Sequence, residues 1–418
     1  MVQRNPFEEI MRSRQIFRNR EFLRHTYVPD RLLHRDEQVR QLARILAAPL
    51  RGETPSNILV YGKPGTGKTA TVRYVGRELE AASAGAPLRT SVVYLNCEIV
   101  NTHYRVLASL AEGLLERMNN GPNRTDLPRI PKTGWPVDEV YRTLLKILEM
   151  EGGLHVVVLD EIDKLVRRDG GDVLYSLTRM NLELRKAKTC LIGISNNLNF
   201  MDLLDARVRS SLGGEEVIFP PYNAKQLSDI LEERASMSFC DGVVADGVIP
   251  LCAAYAAREH GDARRALDLL RVAGETAEAE GAEQVTVEHV RKAHERLEQD
   301  HMVEIIRTLP LQSKLVLLAV SLLAQRRPRP VISGEVYECY RDVCHRTGME
   351  PLTRRRVSDL ISELDLLGII DAKIVNKGRY GRTKEVKLNV HPLQVQAVIQ
   401  EDAMLAAPAS DLLTIPLR

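Results

Sequence analysis

The sequence predicts an α/β domain built on a parallel sheet, then a small helical domain, then an α+β domain of the winged-helix type. From Tyr27 to about Phe219, apolar strands alternate with amphipathic helices, which is typical of a parallel sheet covered by helices. From Ala224 to about Glu298 the apolar residues keep a helical period throughout. Further helical patterns then end in a β-hairpin with glycines at its tip. We therefore assign four segments: a basic arm at 1–26, the α/β base at 27–221, the helical domain at 222–300 and the winged helix at 301–418.

Composition is that of a protein of several domains with no membrane span. The chain has 418 residues, 44% of them apolar, and no apolar run of 18 residues or more. Its N-terminus carries no apolar segment of the signal-peptide type, so we expect a cytoplasmic protein. The six cysteines lack the spacing of a zinc site, and we expect them to be small buried residues.

The net charge of +2 conceals a basic C-terminal region. Residues 301–400 hold 16 Lys and Arg against 10 Asp and Glu, so the rest of the chain is acidic on balance. Basic charge concentrated in one domain indicates a polyanionic partner for that domain. Five arginines also mark the first segment as a basic helical arm, with a solvated helix face as the alternative: Arg12, Arg14, Arg18, Arg20 and Arg24.

The elements follow from local patterns. The strands predicted for the sheet are Asn57–Tyr61, Ser91–Asn96, His155–Leu159, Cys190–Ser195 and Glu216–Phe219. Between Asn119 and Pro136, four prolines and two glycines exclude a continuous helix, so we expect this segment to be an exposed insertion. In the last domain, the predicted elements are helices near Ile305–Leu323, Gly334–Thr347 and Thr353–Leu367 and strands near Ile369–Asn376 and Lys384–Val390.

A glycine-rich loop between the first strand and the next helix fits the phosphate-binding pattern G-x-x-x-x-G-K-[ST]. Its glycines let backbone N–H groups converge on phosphate oxygens at the positive end of a helix dipole. Lys68 is expected to neutralise the β- and γ-phosphates, and Thr69 to ligate magnesium. The nucleotide-binding residues predicted here are Gly62, Pro64, Gly65, Thr66, Gly67, Lys68, Thr69 and, beginning the helix, Ala70.

A second element indicates hydrolysis. The apolar run Val156–Leu159 ends in Asp160 and Glu161, and open parallel sheets place their ligands at the carboxyl ends of strands. We expect Asp160 to hold Mg²⁺ through water and Glu161 to orient and deprotonate the attacking water.

Two more polar residues are candidates for the same site. Asn196 follows a predicted strand and is expected to contact the γ-phosphate or the attacking water; the alternative is a turn residue. Arg264 begins a helix of the helical domain and is expected to reach the phosphates, with surface solvation as the alternative.

The last domain carries a candidate DNA-binding helix. Thr353 is a predicted N-cap, and the three arginines that follow it oppose the helix dipole, which favours an anionic partner. In a helix-turn-helix, the N-terminal end of this helix meets the major groove. The predicted DNA contacts are Arg354, Arg355 and Arg356 on the helix and Arg379 and Arg382 on the hairpin tip. A winged helix that contacts protein is the alternative.

Together these features resemble the archaeal origin-recognition initiator family, AAA+ relatives of the eukaryotic origin-recognition subunits and their helicase-loading partner. The strings that carry the resemblance are Tyr27–Leu32 with His34-Arg35, Asp160–Asp163, Ile194–Asn197, Arg207–Leu212, Phe219–Tyr222, Gly261–Arg264 and the winged helix.

The resemblance implies an AAA+ base, a helical lid and a winged helix that binds origin repeats. It implies that Tyr27, Val28, Pro29 and Arg35 pack around adenine and that Tyr222 also contacts the nucleotide. It also implies that a helical insertion near 100–136 touches DNA. Such proteins bind ATP or retain ADP with Mg²⁺, mark replication origins on double-stranded DNA and help recruit the replicative helicase. The implied enzyme is a slow ATPase acting as a switch.

One position departs from the family pattern. Related AAA+ subunits often place a trans-acting arginine where this chain has Ser211, which leaves Arg207, Arg209 or no arginine in that role. We therefore expect slow turnover and a monomer in solution, with several copies on DNA. Three alternatives stay open at this point: a clamp-loader subunit, a nucleotide-gated signalling ATPase, and a scaffold with permanently structural ADP.

Overall fold

The computed structural model describes residues 15–24, 27, 29, 31–120, 130–131, 133–326, 329–376, 382–402 and 405. The chain divides into two compact units, Met1–Val290 and Arg291–Arg418. Among the described residues, none of the helices combines the length and the apolarity that crossing a bilayer requires.

The first unit is built on a parallel sheet of five strands in the order β2-β3-β4-β1-β5. The predicted parallel α/β sheet is confirmed, and each strand extends by at most a few residues beyond its predicted core. The strands are β1 Asn57–Gly62, β2 Thr90–Asn96, β3 Gly153–Asp160, β4 Ala187–Ser195 and β5 Gly214–Phe219.

Alternate strand residues face two separate apolar layers. Ile58 and Val60 of β1 pack with Val72 of the following helix, whereas Leu59 and Tyr61 pack with the helices on the opposite face. The helices that cover the two faces are Asp36–Leu46, Lys68–Ala82, His103–Asn120, Val137–Glu151, Ile162–Asp169, Asp172–Arg179 and Ala206–Leu212.

The predicted helical lid follows the sheet and ends the first unit. Asn223 caps its first helix through a reciprocal capping box with Gln226, and Asp262 caps the third. Its helices are Ala224–Ser238, Val248–Arg258 and Ala263–Ala279, followed by the start of Val287–Thr308.

Residues 16–23 of the predicted N-terminal arm pack on this lid. Ile16 and Leu23 are fully buried, and the Phe17 ring stacks on Phe239 with 4.7 Å between centroids. Gly274 accommodates the ring, because a Cβ at this position would lie 2.4 Å from Phe17. A short 3₁₀ turn, Arg20–Leu23, completes the segment. Arg12 and Arg14 lie outside the described residues.

The predicted insertion begins in the helix His103–Asn120 and returns at Ile130, which is buried. The Tyr104 hydroxyl donates to the carbonyl of Pro131 at 2.6 Å, which fastens the returning chain to that helix. Residues 121–129 and 132 lie outside the described residues.

The second unit has the predicted winged-helix architecture. Its strands β6 Val331–Ile332, β7 Ile370–Asn376 and β8 Arg382–Leu388 form an antiparallel sheet in the order β6-β8-β7. Its helices are Leu311–Arg326, Ser333–Thr347, Arg354–Leu366 and Pro392–Gln400, together with most of Val287–Thr308.

One predicted element of this unit is wrong in its bounds. The helix expected near Ile305–Leu323 is two helices that break at Leu309 and Pro310. Proline lacks the N–H that a helix interior needs, and the new helix starts with the N–H of Lys314 donating to the Pro310 carbonyl at 3.0 Å. Residues 313–322 of the second helix are buried all round, so it forms the centre of this unit's core.

Candidate functional site

The order β3-β4-β1 places three predicted site elements side by side at the carboxyl edge of the sheet. Asp160 ends β3, Asn196 follows β4, and the glycine-rich loop follows β1 at Gly62. The register pairs Asp160 with Ile194 and Tyr61 with Ser195, so the three chain segments leave the sheet at one level. Residues separated by over a hundred positions in sequence thereby meet in one place.

The loop holds its lysine in a ring of oxygen atoms. Gly65 and Gly67 adopt φ values of +69° and +84°, a region that favours glycine. The Lys68 ammonium donates to the carbonyls of Gly62 and Lys63 at 2.7 and 2.8 Å and to Asn196 Oδ1 at 2.9 Å. These three oxygens accept the hydrogen bonds that the ammonium would otherwise donate to a bound phosphate.

The pKa of Lys68 indicates that Arg264 lies near the phosphate loop. Burial and, next, the positive charge of Arg264 lower the pKa of the Lys68 ammonium to about 8, although Asp160 and Asp262 partly oppose the shift. Arg264 therefore lies close enough to the loop for its charge to be felt at the lysine. Two cations held together at the mouth of a glycine-rich loop form a strong anion site.

Thr69 and Asp160 form an oxygen pair beside the lysine. The Thr69 hydroxyl donates to Asp160 Oδ2 at 2.8 Å. Hydroxyl and carboxylate oxygens are the ligands that Mg²⁺ prefers, usually together with water and substrate phosphates. The two predicted metal ligands therefore fit this ion in both chemistry and placement.

Glu161 is held by a lysine that the sequence did not single out. Glu161 has a φ of +55°, and its carboxylate pairs with the Lys164 ammonium at 2.5 Å. The same ammonium contacts Glu98 Oε1 at 2.6 Å. A left-handed residue outside glycine is uncommon and often marks a functional position. In this state the predicted base is engaged in an ion pair.

A cleft of about 550 Å³ runs from the loop towards the lid. This volume is in the range of nucleotide-sized pockets. The loop residues from Gly65 to Ala70 line one end, together with the acid pair and Asn196. Tyr27 and Pro29 also line the cleft, together with lid residues, among them Ile230.

Arg35 and Tyr222 lie behind the loop. The Arg35 guanidinium donates to the carbonyls of Thr66, His34 and Pro220 at 2.9, 3.2 and 2.8 Å and lies 3.7 Å from the centre of the Tyr222 ring. Arg35 is 2% exposed, and desolvation lowers its pKa. It braces the loop and the start of the lid rather than lining the cleft.

The remaining predicted contacts differ in position. Tyr222 lines the cleft, and a Cβ at Gly67 would meet its hydroxyl at 2.9 Å. Pro64 is exposed at the tip of the loop, and Gly62 is buried at the end of β1. Val28 lies outside the described residues.

The first turn of the lid's third helix touches the loop directly. The Ala263 N–H donates to the Gly65 carbonyl at 3.2 Å. A Cβ at Gly65 would lie 1.6 Å from Asp262 Oδ1, so only glycine allows this approach. The lid and the phosphate loop are therefore in backbone contact.

Several cleft residues escaped the sequence analysis, although some carried a signal. Asn96 ends β2 and lines the cleft, so its place at the carboxyl end of a parallel strand could have marked it. Lys164 stands one helical turn after Glu161, a spacing at which opposite charges meet. Arg234 gave no signal, because it belongs to a helix whose pattern is otherwise ordinary.

The residues considered for a trans-acting arginine lie on the short helix Ala206–Leu212. Arg207 pairs with Asp205 at 3.3 Å, and Arg209 donates to the Met201 carbonyl at 2.7 Å. Ser211 lies on the same helix and is half-buried.

In the second unit, the candidate DNA helix begins as predicted. Thr353 caps it by accepting the Arg356 N–H. All three arginines of the first turn are exposed, but two are in ion pairs: Arg354 with Glu338 at 2.6 Å and Arg356 with Glu363 at 3.4 Å. Arg355 has no such partner among the described residues of its unit.

The hairpin that follows is only partly described. Arg382 opens β8 opposite Asn376, and its side chain lies outside the described residues, as does Arg379.

Three family models match successive parts of the chain. They are an AAA ATPase domain at residues 31–191, a Cdc6 AAA+ ATPase-type lid domain at 228–295 and a CDC6 C-terminal winged helix domain at 304–398.

Whole-length relatives agree with these models. An ORC1-type DNA replication protein of Pyrococcus horikoshii is 57% identical over 95% of this chain and 93% of its own length, and one of Methanosarcina acetivorans is 54% identical over 96% and 94%. The structure of the Aeropyrum pernix ORC1 protein in complex with DNA is similar, with a TM-score of 0.74 and 48% identity over 94% of this chain and 98% of that one. The resemblance inferred from the sequence motifs is thus confirmed, and the chain belongs to the family of ORC1-type DNA replication proteins with an AAA+ base, a Cdc6-type lid and a winged helix.

Proposed function

We propose that this protein is an ATP/ADP-binding replication initiator that binds origin repeats sequence-specifically and helps recruit or load the replicative helicase. The observation that carries the DNA-binding part is the exposed, capped helix of the winged-helix unit with three arginines in its first turn. A relative with 48% identity is described in complex with DNA, which supports double-stranded DNA as the partner.

Within that helix, Arg355 is the first candidate for a DNA contact. Arg354 and Arg356 share their charge with carboxylates, so a phosphate must compete with Glu338 and Glu363 for them. The Arg355 guanidinium has no such competitor among the described residues, and its five donors suit a phosphate or the edge of a guanine.

The test is retention of genomic DNA fragments by the purified protein at moderate salt, with ATP or ADP, followed by sequencing. Enrichment of a few loci that share a repeat supports an origin-type initiator. Uniform retention, or none, favours the alternative of a signalling or scaffold ATPase whose winged helix contacts protein.

The same assay with Arg355→Ala should weaken retention and lower the slope of log affinity against log salt by about 0.9 if the lost contact is to a phosphate. Arg307→Ala is the matched control, because Arg307 is an exposed arginine of the same unit, held by Glu304 and Glu401. An Arg355→Ala variant with unchanged affinity and slope would move the interface elsewhere.

We further propose that the first unit is a slow, Mg²⁺-dependent ATPase. Lys68 would exchange its three oxygen acceptors for phosphate oxygens, with Arg264 contributing from the lid. Thr69 and Asp160 would hold Mg²⁺, which neutralises phosphate charge when bound.

Asn196 would position the attacking water. Glu161 would accept the water's proton once its ion pair with Lys164 opens. Because this pair must first break, turnover is expected to be slow.

Glu161→Gln tests this assignment. The variant should bind ATP as the wild type does but hydrolyse it about 100-fold more slowly or worse, as expected on loss of a general base. Glu78→Gln, which alters an exposed carboxylate on the helix after the loop, is the control and should keep wild-type hydrolysis. Normal turnover by Glu161→Gln would remove Glu161 from the mechanism.

The state of assembly belongs to the same proposal. We propose a monomer in solution and several copies on origin DNA, acting in the cytoplasm at the nucleoid. Turnover by isolated protein that is fast and rises steeply with concentration would contradict both the monomer and the slow rate.

A further inference from the structure

A buried arginine of the lid has no role in the site described so far. Arg234, on the helix Ala224–Ser238, is 6% exposed, and its guanidinium lies 4.4 Å from the centre of the Tyr27 ring. Its Nη1 atom is shielded from solvent and has no hydrogen-bond partner among the residues that the structure describes. Burial lowers the pKa of this guanidinium. A buried donor of a cationic group without an acceptor is costly, so such groups are rare unless a ligand completes them.

The other buried arginine of this region is different. Arg35 donates to three backbone carbonyls and is satisfied without a ligand. Arg234 has its guanidinium over the Tyr27 ring, and its Nη1 has no acceptor among the described residues. The contrast indicates that a ligand bound in the cleft accepts the free hydrogen bond of Arg234, which lines this cleft.

The position of Arg234 in the cleft narrows the chemistry of that partner. At the phosphate end, the charge of Arg264 acts on Lys68, whereas the Arg234 guanidinium lies over the Tyr27 ring. Arg234 lines the cleft beside Tyr27, and the apolar residues of the lining include Leu33, Ile230 and Leu267, with Glu233 as a charged neighbour. Apolar walls with a ring on one side suit a flat heteroaromatic ligand rather than a phosphate.

We propose that Arg234 is a specificity-determining residue that reads the nucleotide's base, its Nη1–H donating a hydrogen bond to a ring-nitrogen acceptor of the purine. The inference rests on the proposed nucleotide function and deepens it. A purine offers acceptor nitrogens in the plane of its rings, at the edge that a guanidinium beside the base can reach. Stacking on Tyr27 fixes the guanidinium plane, so the direction of the donor is set before the nucleotide arrives.

The test measures affinities of the full-length protein for ADP and for its 1-deaza, 3-deaza and 7-deaza analogues, each of which replaces one ring nitrogen by C–H. We expect one analogue to bind wild-type protein about 10- to 100-fold more weakly than ADP, the loss typical of a hydrogen bond from a charged donor. Arg234→Met should bind ADP more weakly by a similar factor and should no longer distinguish that analogue from ADP.

The outcomes separate this proposal from the nucleotide function. If wild-type protein does not bind ADP at all, or if Lys68→Ala binds it normally, the proposed nucleotide site fails. If wild-type protein binds ADP and all three analogues equally, the site stands and the role of Arg234 is overturned. The comparison of ADP with its analogues uses wild-type protein alone, so it tests the proposal even if Arg234→Met fails to fold.

Two more measurements exclude a merely structural role and a contact to the sugar. Lys225→Met alters an exposed cation on the same helix and should keep the wild-type discrimination among analogues. 2′-Deoxy-ADP and 3′-deoxy-ADP replace the ribose hydroxyls; a loss of affinity confined to them, with the deaza analogues unaffected, would overturn the assignment to the base. A loss in Arg234→Met that is equal for ADP and every analogue while the wild-type discrimination persists would also overturn it.

Discussion

At the scale of single residues, His155 is a polar side chain in the middle of an apolar sheet. It lies on β3 and is 1% exposed; its Nδ1 is 2.8 Å from the Ser91 hydroxyl, and its Nε2 has no hydrogen-bond partner in the described part of the chain. Burial lowers the pKa of the imidazole to about 4. The backbone of Gly152 opposes this shift only in part. The folded protein therefore keeps His155 neutral.

This burial predicts a specific acid sensitivity. An unfolded chain binds the proton near pH 6.5 and the folded one only near pH 4, so stability is full above about pH 6.5 and falls as the pH drops to about 4. The loss from this one residue is of the order of 3 kcal/mol. Urea unfolding of His155→Gln between pH 7 and pH 4 should show a clearly smaller decline than the wild type.

His345→Gln is the control for this series, since His345 is exposed on the helix Ser333–Thr347. It should leave the pH dependence as in the wild type. If His155→Gln and wild-type protein lose stability in parallel, the acid sensitivity has another origin.

Sequence alone reached some of these residues and not others, for a physical reason. Lys68, Asp160 and Glu161 belong to short sequence patterns next to strand ends, and such patterns can be recognised without knowing the fold. Arg35 and Pro220 touch across 185 positions, and the partners of a buried guanidinium depend on the whole fold. The buried state of Arg234 was hidden for the same reason.

At the scale of elements, the contact between the phosphate loop and the lid depends on one glycine. Gly65 has a φ of +69°, and its missing side chain leaves the space that Asp262 Oδ1 fills while Asp262 caps the lid helix. The capping side chain of the lid helix therefore packs directly against the backbone of the phosphate loop.

Gly65→Ala should push the lid's first turn off the loop and weaken ADP binding by at least about tenfold, because Arg264 moves with that turn. Calorimetric titration with ADP measures this loss. Gly170→Ala is matched for backbone strain, since Gly170 has a φ of +75° but no atom within 4 Å of an added Cβ. Equal effects of the two variants would mean that strain, and not the lid contact, governs the affinity.

Elements were easier to predict than their contacts. The five parallel strands and the helix–hairpin order of the last unit follow from apolar period and glycine placement, and the structure has both. The break at Pro310 was missed because the apolar period continues across it. The burial of Phe17 was missed because five arginines dominate the pattern of that segment, whereas two apolar side chains and a stacked ring decide its packing.

At the scale of the whole molecule, the two chemistries lie in different units. Lys68 and its neighbours belong to Met1–Val290, and the helix Arg354–Leu366 belongs to Arg291–Arg418. An effect of nucleotide on DNA affinity is then a coupling free energy between two separate sites, and linkage makes it reciprocal.

Paired variants should resolve this coupling. Wild-type protein should bind origin DNA with affinities that differ between ATP and ADP, by about 5- to 150-fold if the coupling is of ordinary size. Lys68→Ala should lose this difference, because no nucleotide binds. Arg355→Ala should bind more weakly throughout but keep the same ratio. Quantitative DNA-binding curves at fixed salt measure all three, and a Lys68→Ala variant that still responds to nucleotide would contradict the assignment of the site.

The bracing by Arg35 has a consequence for how the protein tolerates change. The three carbonyls that accept its hydrogen bonds belong to the main chain of His34, Thr66 and Pro220, so these three bonds require no particular side chain at those positions. A substitution at one of those three positions leaves its bond to Arg35 intact as long as the backbone path persists. Position 35 itself has no such freedom, because a lysine's compact ammonium cannot reproduce a planar fan of donors aimed at three separate oxygens. The contacts between the phosphate loop and the lid therefore depend more on the residue at position 35 than on the side chains of its three hydrogen-bond partners.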